Sequence, residues 1–405
     1  MASTSATSVP RESRRGLSAR IVLGRVFAPV PSEFVLIAST ALLLTGFGLT
    51  MVLSATTATS TAAGQDPYVA LLKQAIFAAI GVPLMFLASR MPVLFWKRIA
   101  WPALIFAILF QLTVFTPLGI SADGNRSWIY IFGLQAQPAE FLKLALAIWL
   151  GAVLARKQPL LHQARHAFIP AVPVTLIVVA AVMAGQDLGT TMILGLVFTA
   201  SLFFSGVRLR LFIVPVAVGL AAVAVLVVTS PDRMRRIMSF AGSNSDCLAQ
   251  YYGNCYQTLH GIWGLASGGV LGLGLGNSKQ KYDWLPAAAN DYIFAIVGEE
   301  LGLIGCVVAL ALFTLFAVGA FHVIRKTNDP FVRIVAGGIT IWIVGEALIN
   351  IAVVLKLFPV MGVPLPFMSQ GGTSLVAVLV GCGILLSFAR SLPGKNASPA
   401  GTLAR

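Results

Sequence analysis

Four carboxylates stand near one another in a single stretch of the chain: Asp283, Asp291, Glu299 and Glu300. Asp291 ends a long polar and glycine-rich segment and directly precedes an apolar run, so it marks the point where a loop enters a helix. A carboxylate in that place has two readings. It caps the helix, which is worth about 1 kcal/mol, or it takes a proton from a substrate hydroxyl as a general base. An unperturbed aspartate, with a pKa of about 3.9, is a weak base unless its surroundings raise it. Glu299 lies eight residues further on, roughly 12 Å deeper along a helix and about 80° around it. Glu300 points nearly opposite to Asp291 and calls for a partner on another helix. Asp283 lies eight residues before Asp291, across Pro286, and the spacing leaves its distance open.

The cationic counterpart is sought in ISADGNRSWIYIFGLQAQP, residues 119–137, where Arg126 is the only basic residue, beside Trp128 and Tyr130. Its planar fork suits a diphosphate, and the plainer alternative is an anchor at the membrane interface. Glu140 and Lys143 follow at i,i+3 in an apolar segment and are placed to pair with each other. An intramembrane carboxylate or ammonium is costly, which makes each a functional candidate with a structural ion pair as the alternative. Pro359, Pro364 and Pro366 precede Gly371 and Gly372, and such breakers survive in a membrane only when protein-buried or lining a cavity. The alternation Gly272, Gly274, Gly276 invites a nucleotide-loop reading, rejected because no strand precedes it and no crossover unit follows. Close backbone packing explains these glycines better.

The elements that must position these groups are apolar. Of 405 residues, 58% are hydrophobic and only 10% charged, too few to coat a soluble domain. A bilayer core about 30 Å thick needs roughly 20 apolar residues per helix. Ten segments meet that length, approximately 34–55, 69–89, 99–117, 138–154, 167–184, 188–206, 209–229, 291–322, 331–356 and 370–389. The expected fold is an all-α polytopic membrane protein with a large extracytoplasmic loop, residues 231–290, between helices 7 and 8. The eighth segment is long for one span and must tilt or project. With residues 1–32 as a disordered cytoplasmic tail and 391–405 as a second one, 19 of the 28 Lys and Arg fall inside and seven outside. The net charge of +14 therefore reports orientation and contact with anionic membrane lipids, not nucleic acid. Seven of the 14 acids fall outside, which places the chemistry there.

Cysteine usage adds one expectation. Cys306 and Cys382 lie in apolar segments as buried thiols, whereas Cys247 and Cys255 share the outer loop and are expected to form a disulfide. His162 and His166 have i,i+4 spacing, but two ligands do not close a zinc site.

The segments GNRSWI, QPAEFLKLALA, QDLGTT, WLPAAANDYIFAIVGEELGLIG and FPVMGVPLPFMSQGGTSL, in this order on ten spans, resemble the SEDS family of bacterial shape, elongation, division and sporulation proteins, represented by RodA and FtsW. The likeness runs from about 34 to 390. It implies a peptidoglycan glycosyltransferase in the bacterial cell membrane that joins lipid II units and releases undecaprenyl diphosphate. It further implies a class B penicillin-binding protein and other divisome proteins as partners. By the same resemblance Asp291 is the essential aspartate, with Asp283, Glu299 and Glu300 on matching acidic positions and Arg126 on the basic one. Arg126 with Lys143, Asp283 and Glu299 are the expected substrate contacts, and a divalent cation, Mg or Mn, is a conceivable helper. The sequence departs from the family in having Ser127 between Arg126 and Trp128, and Gln370 where tyrosine is usual. Gln370 and LPAAAND look most like an actinobacterial FtsW, which implies a place at the division septum. A lipid II flippase and a non-catalytic scaffold are the alternatives. The outer position of Asp291 favours the enzyme, because a flippase needs groups facing both sides in turn.

Overall fold

The computed structural model describes residues 31–392, apart from 63, 65, 67, 123, 124, 132, 243–252 and 254. Its helices are α1 (Ser32–Ala62), α2 (Tyr68–Ala88), α3 (Val93–Leu112), α4 (Pro138–Arg156), α5 (Ala164–Phe168), α6 (Ala171–Met183), α7 (Leu188–Ser205), α8 (Ile213–Val228), α9 (Pro231–Ala241), α10 (Tyr256–Gly268), α11 (Ile293–Lys326), α12 (Pro330–Val354) and α13 (Gly372–Arg390). Among the described residues, ten helical segments are long and apolar enough to cross a membrane, with α5 and α6 joined in one of them. They coincide with the ten expected from hydropathy. The tail expected at 1–32 falls outside the described residues except for its last two, and that at 391–405 except for its first two.

Two departures from a purely helical chain occur. Residues 119–136 form a small antiparallel sheet, β1 (Gly119–Ala122), β2 (Asn125–Ile131) and β3 (Leu134–Ala136), in the order β1-β2-β3. The β-branched and aromatic run RSWIYI between glycines suits strands. Among the described residues, the segment 231–290 also contains the helices α9 and α10 before the chain returns to the bundle.

The helices differ sharply in what surrounds them. α4 is enclosed along nearly its whole length, whereas no residue of α8 is buried. Local signals set the ends. Asp187 caps α7, its carboxylate accepting from the Thr190 amide at 2.9 Å, and Gly206 closes the helix in the left-handed conformation.

Contacts sort the connecting segments into two ends of the bundle. At one end the Arg126 amide donates to Gly185 O and Asn350 bridges Asp291 O and Val363 O. At the other, Lys97 pairs with Asp329 at 2.6 Å and Lys326 pairs with Glu33. The acids of the active stretch belong to the first end.

The eighth span is not a single straight rod. It breaks at Gly302, with φ 64° and ψ −162°. A Cβ there would lie 2.4 Å from both Val270 O and Gly272 N, so only glycine fits. The glycine-rich turn after α10 satisfies the broken ends. Leu273 and Gly274 amides donate to Glu299 O and Glu300 O at 3.0 and 2.9 Å, and Leu303 and Ile304 amides donate to Gly269 O and Val270 O at 2.9 and 3.3 Å. Broken helix is tolerated in a span only with such replacement partners. Gly272 thus serves close packing, as the sequence indicated, whereas nothing stands within 4 Å of a Cβ on Gly276, where the positive φ of 83° is what favours glycine.

Candidate active site

Asp291 does not cap α11. That helix begins at Ile293 with Tyr292 as its N-cap, and Asp291 sits in the turn before it. Three successive backbone carbonyls fix this turn. Gln370 N–H donates to Ala289 O at 2.9 Å, Ser369 Oγ to Asn290 O at 2.6 Å, and Asn350 Nδ2 to Asp291 O at 2.8 Å. The segment before α13 therefore holds the two residues ahead of the aspartate and Asn350 of α12 holds the aspartate's own carbonyl, while its side chain is half-buried. A Cβ on Gly362 would lie 3.7 Å from Asp291 Oδ2.

The residue before Gly362, Met361, lines a cavity of about 140 Å³. Its walls come from the start of α7 (Met192), the exposed helix α8 (Val223, Val227), α9 (Arg233, Arg236) and the segment 359–361. It is apolar toward α8 and cationic toward α9. Burial, first of all, pushes the Tyr292 phenol up to about 12, with the Asp291 carboxylate adding to this and the Arg236 guanidinium opposing it. The phenol stays protonated at neutral pH, and Asp291 and Arg236 both lie within its electrostatic reach.

The other expected site residues divide clearly. Glu299 is fully buried and accepts from the Lys279 and Gln280 amides at 2.9 and 3.3 Å, and from Ser278 Oγ. Glu300, equally buried, pairs with Lys281 at 3.0 Å and accepts from Ser54 of α1 at 2.6 Å. The partner expected on another helix is thus Ser54. Both glutamates fasten the turn at 278–281 to the break in α11. This enclosure gives Glu299 a positioning environment in place of the substrate contact expected.

Lys143 is likewise no surface for substrate. It is 1% exposed and lies 2.9 Å from Glu140 and 2.8 Å from Glu346, which also accepts from Trp342 Nε1 at 2.6 Å. This network ties α4 to α12, because charges taken out of water need partners on the spot. The pairing with Glu140 matches the i,i+3 spacing; Glu346, from a distant helix, completes it.

Arg126 is turned away from the expected role. Its Nη2 donates to Thr116 O at 3.0 Å and its Nε packs against Gly119, while its neighbour Asn125, not Arg126, lines the cavity. One guanidinium N–H thus ties β2 to the turn before β1, while Nε is buried without a hydrogen-bond partner among the described residues. Asp283 is exposed, with φ 61°, a conformation that Asp tolerates better than most residues. No recorded contact joins it to Asp291.

Sequence reasoning missed Arg233 and Arg236. Their i,i+3 spacing on a short amphipathic stretch was the available signal, since it puts both on one face and Arg235 on another. Cys255 is disulfide-bonded, while Cys306 and Cys382 are free. Its expected partner Cys247 lies outside the described residues. Among the described residues, no group of three or more His, Cys, Asp or Glu converges to hold a metal ion.

Residues 34–393 match the FtsW/RodA/SpoVE family, described as cell cycle proteins. The probable peptidoglycan glycosyltransferase FtsW of Mycobacterium tuberculosis is 37% identical over 363 residues, covering 89% of this chain and 68% of that one. Stage V sporulation protein E of Bacillus subtilis is 35% identical over 361 residues, covering 88% and 97%. Among solved structures, rod shape determining protein RodA of Thermus thermophilus has a TM-score of 0.64 at 23% identity, covering 90% of this chain and 98% of that one. A chain of a peptidoglycan synthase complex, in which polymerization and crosslinking are coordinated, has a TM-score of 0.70 at 23% identity with the same coverage. At that identity these two likenesses establish the fold alone.

Proposed function

The chain belongs to the FtsW/RodA/SpoVE family of cell cycle proteins, and from that premise we propose that it polymerises lipid II at the cavity beside Asp291. It is a multi-pass membrane protein and a peptidoglycan glycosyltransferase. The observation that carries the site is the nearness of a half-buried aspartate, whose Oδ2 stands 3.7 Å from a Cβ placed on Gly362, to the adjoining Met361 in the wall of a cavity that is cationic on one side and apolar on another.

In the proposed reaction the Asp291 carboxylate takes the proton of an acceptor sugar hydroxyl. The hydroxyl oxygen bonds to the donor's anomeric carbon. The bond from that carbon to the diphosphate oxygen breaks, and undecaprenyl diphosphate leaves with the electron pair. Three carbonyl anchors keep the carboxylate from swinging away, so positioning and proton acceptance are supplied by this chain's own groups. No step is routed through a metal.

The positive-inside bias supports cytoplasmic termini and an outer cavity. Labelling of a cysteine placed at Ser243 from the outer face tests this; labelling from the inner face alone would reverse it. A class B penicillin-binding protein is the proposed partner and the division septum the proposed location, on the likeness to FtsW proteins. The decisive experiment is polymerisation of labelled lipid II by purified protein with that partner. Asp291→Asn is expected to abolish product while expression and partner binding persist; near-normal product would return the flippase and scaffold readings.

A further inference from the structure

Helix α9 carries three arginines within four residues, and the fold uses each differently. Arg235 is exposed and forms an ion pair with Asp232. Arg233 is committed to backbone: it donates to Leu226 O at 3.2 Å and to Gln186 O at 3.1 Å, tying α9 to the end of α8 and to the turn before α7. Arg236 is half-buried on the cavity wall, and among the described residues its guanidinium has no hydrogen-bond or ion-pair partner. Asp232, also on the lining, is already engaged by Arg235.

A half-buried guanidinium with no anion beside it among the described residues leaves charge-assisted hydrogen bonds for a ligand anion to make. Opposite it, Val223 and Val227 belong to a helix with no buried residue, so the cavity's apolar wall is continuous with a surface that faces lipid. An amphiphile with an anionic head and an apolar tail fits that junction. A planar fork with parallel N–H groups favours phosphate oxygens, and two linked phosphates most of all.

We propose that Arg236, not Arg126, binds the diphosphate of the polyprenyl-linked substrate and product, with Val223 and Val227 guiding the first part of the chain toward the bilayer. This rests on the reading of the cavity as the glycosyl-transfer site, although it does not depend on Asp291 being the base. Arg233 acts by holding α9 in place. The charge of Arg236 then faces the leaving group while Asp291 faces the attacking hydroxyl, which spreads the two ends of the reaction across the cavity.

The test is equilibrium binding of undecaprenyl diphosphate to the full chain in phosphatidylcholine nanodiscs. Arg236→Ala is expected to weaken binding by about tenfold or more, the scale of one lost charge-assisted contact. Arg236→Lys should restore part of it, and Arg235→Ala and Arg126→Ala should stay within about twofold of the parent. Unchanged binding by Arg236→Ala overturns the proposal, and so does an equal loss in Arg235→Ala. Two competitors separate the sources of anion. If phosphatidylglycerol or inorganic pyrophosphate displaces the probe as readily as unlabelled undecaprenyl diphosphate does, the site is a general anion site and the proposal fails. Asp291→Asn keeps the two readings distinguishable. It should bind the probe normally yet fail to polymerise; if it polymerises while Arg236→Ala loses binding, the base assignment falls and this one stands.

Discussion

Two acidic regions lie only eight residues apart along the chain and have opposite characters. At Glu299 and Glu300 every carboxylate is met by protein: amides of residues 278–280, the hydroxyls of Ser54 and Ser278, and the Lys281 ammonium. Near the cavity the backbone of Asp291 is anchored and its carboxylate stands beside Gly362, next to Met361 of the lining, while Arg236 on the wall has no described partner. Charges that are saturated by the fold hold the fold. A charge that no described residue matches on a cavity wall, as at Arg236, is available to a substrate.

The strongest way to break this comparison is at Asp291. Asp291→Asn should cut lipid II polymerisation a hundredfold to ten-thousandfold, the usual scale for a lost general base, at about constant thermal stability in detergent. A stability loss with residual activity would instead place Asp291 on the structural side. Next in size is the buried pair. Lys281→Met strands the Glu300 carboxylate and should destabilise by about 3–5 kcal/mol, read as a lower unfolding temperature. Adding Glu300→Met should recover most of that loss and retain polymerisation; a stable but inactive double variant would move this pair to the catalytic side.

A smaller effect is expected at the helix break. Gly302→Ala puts a side chain where φ is positive and two backbone atoms stand 2.4 Å away, at a cost of about 1–3 kcal/mol. An unaffected unfolding temperature would mean that α11 can run on without its break. The least effect belongs to Asp283→Asn. The side chain is exposed and asparagine accepts the same backbone conformation, so polymerisation should stay within about threefold of the parent. A loss as deep as that of Asp291→Asn would bring Asp283 into the chemistry.

The number and places of the spans were legible because hydropathy is a local property: about 20 apolar residues must occur together wherever a helix crosses. The Glu140–Lys143 pair was legible for the same reason, being set by helical spacing. The break at Gly302 was not, since Gly302 reads as an ordinary glycine until the α10 turn supplies replacement hydrogen bonds from some thirty residues away. Nor was the fate of Arg126, whose only local alternatives were an anchor and a phosphate ligand, while the observed partner is the Thr116 carbonyl in the turn before β1.

The sequence by itself determined that this is a ten-span membrane protein, which family it resembles, and that Asp291 is the aspartate to watch. Those conclusions need only composition, spacing and motif order, all read along one dimension. Tertiary structure alone decided which charges are already matched. Glu346 reaches Lys143 from 203 residues away and Ser54 reaches Glu300 from 246, while Arg236 finds no described partner. A charged side chain is structural or available according to what stands within about 3 Å of it, and distances between remote segments exist only once the helices have packed.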